Sequence, residues 1–120
     1  MAFKKERLEK IIAREISQIL FSEVKDARLK LVTITNVNLS GDLSIATIFY
    51  TVYGEEEVIN ETSKLLEDAK GFIRLNLGHR IEVKKVPDLR FKYDSSFAQG
   101  NRIEDILKAL NNNNDWKNQR

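Results

Sequence analysis

The sequence predicts a single α+β domain with the element order helix, strand, strand, helix, kink, helix, strand, closed by a C-terminal helix and a disordered polar tail. Two observations carry this. Apolar residues recur at helical spacing over residues 3–24 and 58–77, and between and after those stretches lie short runs rich in Val, Ile and Thr that alternate as strands do. A chain of 120 residues that is 42% hydrophobic is sized for one core, so residues 1–110 are expected to form the domain and residues 111–120 the tail.

The first helix is written in the stripe Leu8, Ile11, Ile12, Ile16, Ile19, Leu20 and Val24, which has to lie on a core. Lys4, Lys5, Arg7, Lys10 and Arg14 crowd its start, where the helix dipole disfavours cations. Two readings stand for them: a solvated helix face, or a second nucleic-acid contact led by Lys5 and Arg7.

After DARL, the run Lys30 to Leu39 predicts a first strand, and Ser40, Gly41 and Asp42 separate it from a second, Leu43 to Tyr53. The two form a hairpin. In the second run Ala46, Ile48, Tyr50 and Val52 share one face while Ile45, Thr47, Phe49, Thr51 and Tyr53 share the other. With apolar bulk on both faces, at least one is expected to be covered by helices.

Glu55, Glu56 and Glu57 then open a second helix, where carboxylates suit the positive end of the dipole. Its apolar pattern, Val58, Ile59, Thr62, Leu65, Leu66 and Ala69, meets Gly71 and resumes at Phe72, Ile73 and Leu77. Glycine weakens a helix interior by about 1 kcal/mol, so a kink is expected at Gly71, with Gly78 as the C-terminal cap. Ile81 and Val83 predict a strand that Pro87 interrupts, at a bulge or edge, before Leu89, Phe91 and Tyr93 resume it.

Beyond Tyr93, the pairs Ser96/Gln99 and Asn101/Glu104 are spaced as capping boxes for a last helix with Ile103, Ile106, Leu107 and Leu110 on its apolar face. The asparagines Asn111 to Asn114 and the segment DWKNQR have no periodicity, so the tail is expected to be disordered, with Trp116 incidental to it.

Composition excludes several function classes. With no cysteine the chain offers no disulfide, redox thiol or thiolate metal site, and no cofactor is implied. The start FKKERLEK lacks the apolar run of a signal peptide, and no stretch nears the roughly 20 apolar residues that span a bilayer, so a cytoplasmic monomer without membrane contact is expected. His79 is the sole histidine, which leaves no two-histidine metal site. It reads as a helix-end cation or an RNA-facing side chain. Asp94, Ser95 and Ser96 read as cap residues, and Glu67 and Asp68, adjacent on a helix, diverge. No catalytic constellation and no metal ligands emerge.

Charge is more informative. Residues 70–92 hold seven Lys or Arg against two acids, a net of +5, while residues 54–68 hold six acids and one Lys, a net of −5. The overall +2 therefore conceals a dipolar chain. Lys70, Arg74, Arg80, Lys84, Lys85, Arg90 and Lys92 bracket the expected kink and follow the adjoining strand, and are read as one RNA-binding patch. Gly71 joins them because a kink would free backbone N–H donors for phosphate oxygens. Alanine at Gly71 is accordingly expected to harm binding more than stability.

These residues also carry a likeness. DARLKLVTITNVNLSGDLSIATIFYTVYG, LLEDAKGFIRLNLGHRIEVKKVPDLRFKYD and the helix containing RIEDIL occur in the order and spacing of bacterial ribosome-binding factor A, which the chain resembles over roughly residues 3–110. The resemblance implies a type II KH-like domain and a role in late maturation of the small ribosomal subunit, with the 30S particle and its 16S rRNA as partners and ribosomal proteins as further ones. Ordinary KH domains clamp single strands with a Gly-x-x-Gly loop. Here the family's form, Ala69, Lys70, Gly71, lacks the first glycine and one residue of length, so recognition of a folded RNA surface by shape and phosphate contacts is expected. Two rival readings remain: a protein-interaction adaptor using the acidic helix 55–68, and a small RNA-processing enzyme.

Overall fold

In the first helix, α1 (Ala2–Ser22), the side chains of Ile12, Ile16, Ile19 and Leu20 are completely or almost completely removed from solvent, as the helical stripe in the sequence requires. Each such side chain contributes about 1.5–3 kcal/mol of transfer free energy. The computed structural model describes residues 2–94 and Ser96. The expected C-terminal helix, the Ser96/Gln99 cap partner and the tail with Trp116 lie outside the described residues.

The segment after α1 departs from expectation. Asp26 accepts a hydrogen bond from the Arg28 backbone N–H at 3.0 Å and so caps a 3-10 turn, Ala27–Leu31, that occupies the start of the predicted first strand. Strand β1 therefore begins at Thr33 and runs to Leu39, and β2 spans Ile45–Thr51 in place of Leu43 to Tyr53. The two are antiparallel, with a register shift between Ile34 and Asn36 that leaves Thr35 as a bulge. Side chains knit the turn between them. Ser40 Oγ accepts from the Ile45 N–H at 3.0 Å, Asp42 Oδ1 accepts from the Ser44 N–H at 3.1 Å, and Leu43 takes a left-handed φ of 63°.

Gly54, at φ 146°, turns the chain out of β2, and a Cβ placed there would lie 2.7 Å from Val58 Cβ. Helix α2 follows as one element, Glu56–Arg80. The predicted helix-kink-helix is thus a single element in which helix continues through Gly71. Thr62, Leu66, Ile73 and Leu77 are buried, with Ala69 partly so, at offsets of four, seven, eleven and fifteen residues from Thr62. That is one unbroken helical stripe, and no change of direction is needed to return Ile73 to the core. Phe72 lies off the stripe and is 46% exposed. Gly78 is inside the helix, and the C-cap is Ile81, whose N–H donates to Leu77 O at 3.1 Å.

Strand β3 (Asp88–Tyr93) pairs parallel with β2, a geometry that demands a long crossover, which α2 supplies. The sheet order is β1-β2-β3. Ile81 and Val83 do not join the sheet, contrary to expectation. β2 begins at Ile45 opposite Asp88, and the residues before Ile45 are folded into the hairpin turn, so residues 81–87 have no strand to pair with. Pro87 is buried immediately before β3, an edge strand among the described residues as one of the two expectations had it, and neither bulges nor interrupts that strand.

One sheet face is covered by both helices. Val37 and Leu39 from β1, Ala46, Ile48 and Tyr50 from β2, and Leu89 from β3 form a single core with the α1 and α2 stripes. Tyr50 meets Phe91 and Tyr93 edge-on, at ring-centre distances of 6.5 and 6.0 Å. Burial raises the Tyr50 phenol's pKa, against a hydrogen bond with Ser63.

Candidate nucleic-acid interface

The cations that the sequence groups together divide, once folded, into a tethered set and a set without an ion-pair partner among the described residues. Arg74 projects from α2 onto the linker to β3, where Nε donates to Pro87 O at 3.1 Å and Nη2 to Val86 O at 2.6 Å, with Asp88 Oδ1 at 3.6 Å. Arg80 reaches α1 from the last turn of α2. Its Nη1 donates to Gln18 Oε1 at 3.1 Å and to Glu15 Oε1 at 3.4 Å, and Nη2 to Glu23 Oε1 at 3.2 Å. Arg14, bonded to Glu15, together with Arg80 lowers the Glu15 carboxyl pKa against the opposing effect of desolvation. Lys70 is paired with Glu67 one turn back, at 2.6 Å. These three are structural first: two staple elements together and the third neutralises its own helix.

Gly71 supplies no special chemistry. It is exposed, a Cβ would meet nothing within 4 Å, and its backbone is ordinary right-handed helix. The backbone donors that a kink would free are therefore held within the helix.

Lys84 and Lys85 on the linker, and Arg90 and Lys92 on β3, are exposed and have no ion-pair partner among the described residues. Arg90 and Lys92 are two residues apart on one strand and so project on the same side of the sheet, the side away from the helices. Lys5 and Arg7 fall elsewhere. They precede Glu9, whose Oε2 accepts the Leu39 N–H at 2.7 Å, so that end of α1 sits beside β1 at the opposite edge from β3.

The register exposes residues that the sequence reading did not single out. Lys92 lies opposite Phe49, which lies opposite Asn36; Arg90 lies opposite Thr47, which lies opposite Asn38. The alternation in β2 already separates Phe49 from the buried face, but only the strand order sets Arg90 and Lys92 next to it.

Among the described residues no three His, Cys, Asp or Glu side chains gather as a metal site would require, and no helix is long and apolar enough to cross a membrane. The acidic stretch 54–68 is itself partly engaged. Glu61 is ion-paired with Arg28, which Asp26 also grips, and this raises the Arg28 pKa while Arg28 holds Asp26 near 2.

Similar folds and sequences recur in known proteins. The model of the family described as ribosome-binding factor A matches residues 4–107. The ribosome-binding factor A of Macrococcus caseolyticus is 40% identical over 111 residues, covering 92% of this chain and 97% of that protein. The crystal structure of ribosome-binding factor A from Thermus thermophilus is similar at a TM-score of 0.66 and 27% identity, covering 74% of this chain and 93% of that one. A homology model of the Thermus thermophilus factor, fitted into a cryo-electron-microscopy map of its complex with 30S, is similar at a TM-score of 0.64 and 26% identity, over 77% of this chain and 97% of that one. With an unbroken family match across both helices and all three strands, the chain belongs to the ribosome-binding factor A family.

Proposed function

We propose that this chain is a non-catalytic maturation factor of the 30S subunit, acting in the cytoplasm as a monomer, and that it docks on 16S rRNA through Lys84, Lys85, Arg90 and Lys92. The observation that carries the reading is this set of exposed cations on the linker and β3, without an ion-pair partner among the described residues, in a family with a relative fitted into a 30S complex. Phosphates reward such a set through counterion release. Lys5 and Arg7 form a separate, secondary contact. Lys70, Arg74 and Arg80 act by holding the surface in place.

Binding preference supplies the mechanism. A protein shifts an RNA equilibrium only by binding one conformer better than another, so holding or testing a local RNA fold requires neither chemistry nor a cofactor. The order α-β-β-α-β supports the KH-like reading, with residues 1–110 as the domain. The continuous helix at Ala69, Lys70 and Gly71 favours recognition by shape and charge over a single-strand clamp at that point.

The test is affinity for immature small subunits across a salt series. The slope of log K against log salt falls by about 0.7–0.9 for every phosphate that the protein no longer neutralises. Replacing Lys84, Lys85 and Arg90 by Glu is expected to weaken binding strongly and flatten the slope by about two to three. A folded triple variant with the parent's affinity and slope would remove the cationic surface from the interface.

A further inference from the structure

Among the described residues, the helices cover one side of the three-stranded sheet. On the other side the registered positions are Thr33, Asn36 and Asn38 in β1, Ile45, Thr47, Phe49 and Thr51 in β2, and Asp88, Arg90 and Lys92 in β3. Neither Ile45 nor Phe49 belongs to the core cluster or packs against it. Phe49 is thus an aromatic ring on the central strand, held in a row with Asn36 on one side and Lys92 on the other. Strand spacing of about 4.8 Å puts both neighbours within reach of whatever rests on that ring. The next row repeats the arrangement with Asn38, Thr47 and Arg90.

The face has a definite electrostatic sense. Asp88 is the one carboxylate among these positions, and it sits 3.6 Å from the Arg74 guanidinium, at the far end from Lys92. Arg90 and Lys92 are left without a carboxylate among the described residues. A purely apolar occupant would leave both cations idle. An unpaired nucleotide uses every group: its base has a π-face for Phe49, its edge has donors and acceptors for the Asn36 and Asn38 amides, and its phosphates suit Lys92 and Arg90.

We infer that this sheet face, away from α1 and α2, is a stacking platform for unpaired nucleotides of RNA, with Phe49 bearing a base, Asn36 positioned at the base edge, and Lys92 and Arg90 drawing the flanking phosphates. The inference rests on the RNA-binding reading above and adds to it a contact specific for bases, where cations alone are indifferent to whether a base is present.

The discriminating experiment compares an oligoadenylate with an abasic ribose-phosphate oligomer of the same length and charge, by fluorescence anisotropy with the full chain. Stacking predicts that the parent binds oligoadenylate about tenfold more tightly than the abasic oligomer. Phe49→Leu, which keeps apolar bulk on the strand, removes that preference without changing affinity for the abasic oligomer, and Phe49→Tyr preserves it. Lys92→Gln weakens both oligomers alike. Equal, salt-dependent binding of the two oligomers by the parent overturns the platform and leaves the cationic surface standing, whereas binding of neither overturns the platform, and the salt series on immature subunits then decides the cationic surface. A Phe49→Leu chain that retains the base preference also overturns the platform. So does one that loses affinity only for intact subunits, because the face would then take a ribosomal protein.

Discussion

Arg74 and Pro87 are joined across thirteen residues of sequence by a hydrogen bond from the Arg74 Nε to the Pro87 carbonyl at 3.1 Å. A second bond from the same guanidinium to Val86 O fixes the path by which the chain leaves α2 and enters β3. Proline cannot donate to the sheet, and its carbonyl is served from the helix.

Removing this staple is expected to reduce stability. Arg74→Met keeps the aliphatic stem and deletes charge-assisted bonds to two carbonyls, for a loss of about 1–3 kcal/mol. Urea denaturation checks it. RNA affinity of the folded fraction should change far less than for Lys84→Glu, and the reverse order would mean that Arg74 turns from the linker to the phosphate.

Gly71→Ala is expected to stabilise the protein by up to about 1 kcal/mol, since Gly71 is an exposed interior position of a continuous helix with open space for a methyl group. A raised denaturation midpoint with unchanged subunit affinity is the expected pair of results. Lowered affinity at unchanged stability would restore a close RNA backbone at this residue.

The contrast between these two residues explains what the sequence could convey. The two long helices and the central strands were legible because periodicity reports which residues share a face, and the buried sets Ile12/Ile16/Ile19 and Ala46/Ile48/Tyr50 are those the spacing marks. Lys30 and Leu31 and the pair Ile81/Val83, by contrast, alternate as a strand would without a neighbouring strand to pair with. Gly71 misled because propensity is a weak prior. A glycine costs a helix little when the stripe Thr62, Leu66, Ile73, Leu77 anchors both sides of it. The basic patch was legible as a charge excess and illegible as geometry. Arg74 and Lys92 look alike in sequence, and only the tertiary structure reveals that one grips carbonyls and the other stands beside Phe49. Strand order is a long-range property that no local pattern encodes.

Gly54 is the glycine that the fold needs. At φ 146° its backbone is in a region that side chains rarely enter, and an added Cβ would lie within 2.7–2.9 Å of the Val58 side chain. Gly54→Ala is expected to destabilise by about 1 kcal/mol or more. Pairing it with Val58→Gly, which removes all three contacting atoms, and comparing the pair with Val58→Gly alone separates the two causes: the part of the loss that disappears is steric, and the remainder belongs to the backbone. A melting temperature equal to the parent's would contradict both.

The last expectation concerns acid. Hydrogen bonds from Ser44 and Ser40 hold the Asp42 carboxyl near 2, below its ordinary 3.8, and Arg28 does the same for Asp26. For a group whose folded pKa is depressed, the stabilising contribution is complete above the unfolded value and disappears as pH falls through the folded one. Both carboxylates therefore support the fold at neutral pH, and their support is withdrawn between about pH 4 and 2. Asp26 caps the 3-10 turn and Asp42 ties the hairpin, so their protonation loosens both ends of β1. The Asp26→Asn, Asp42→Asn double variant is expected to start from a lower melting temperature at about pH 7 and to lose less of it between about pH 4 and 2 than the parent does. Melting curves by circular dichroism across that range measure it, and parallel losses in parent and variant would assign the acid sensitivity to other carboxylates, with Glu15 and Asp94, whose pKa values are also lowered, next in line.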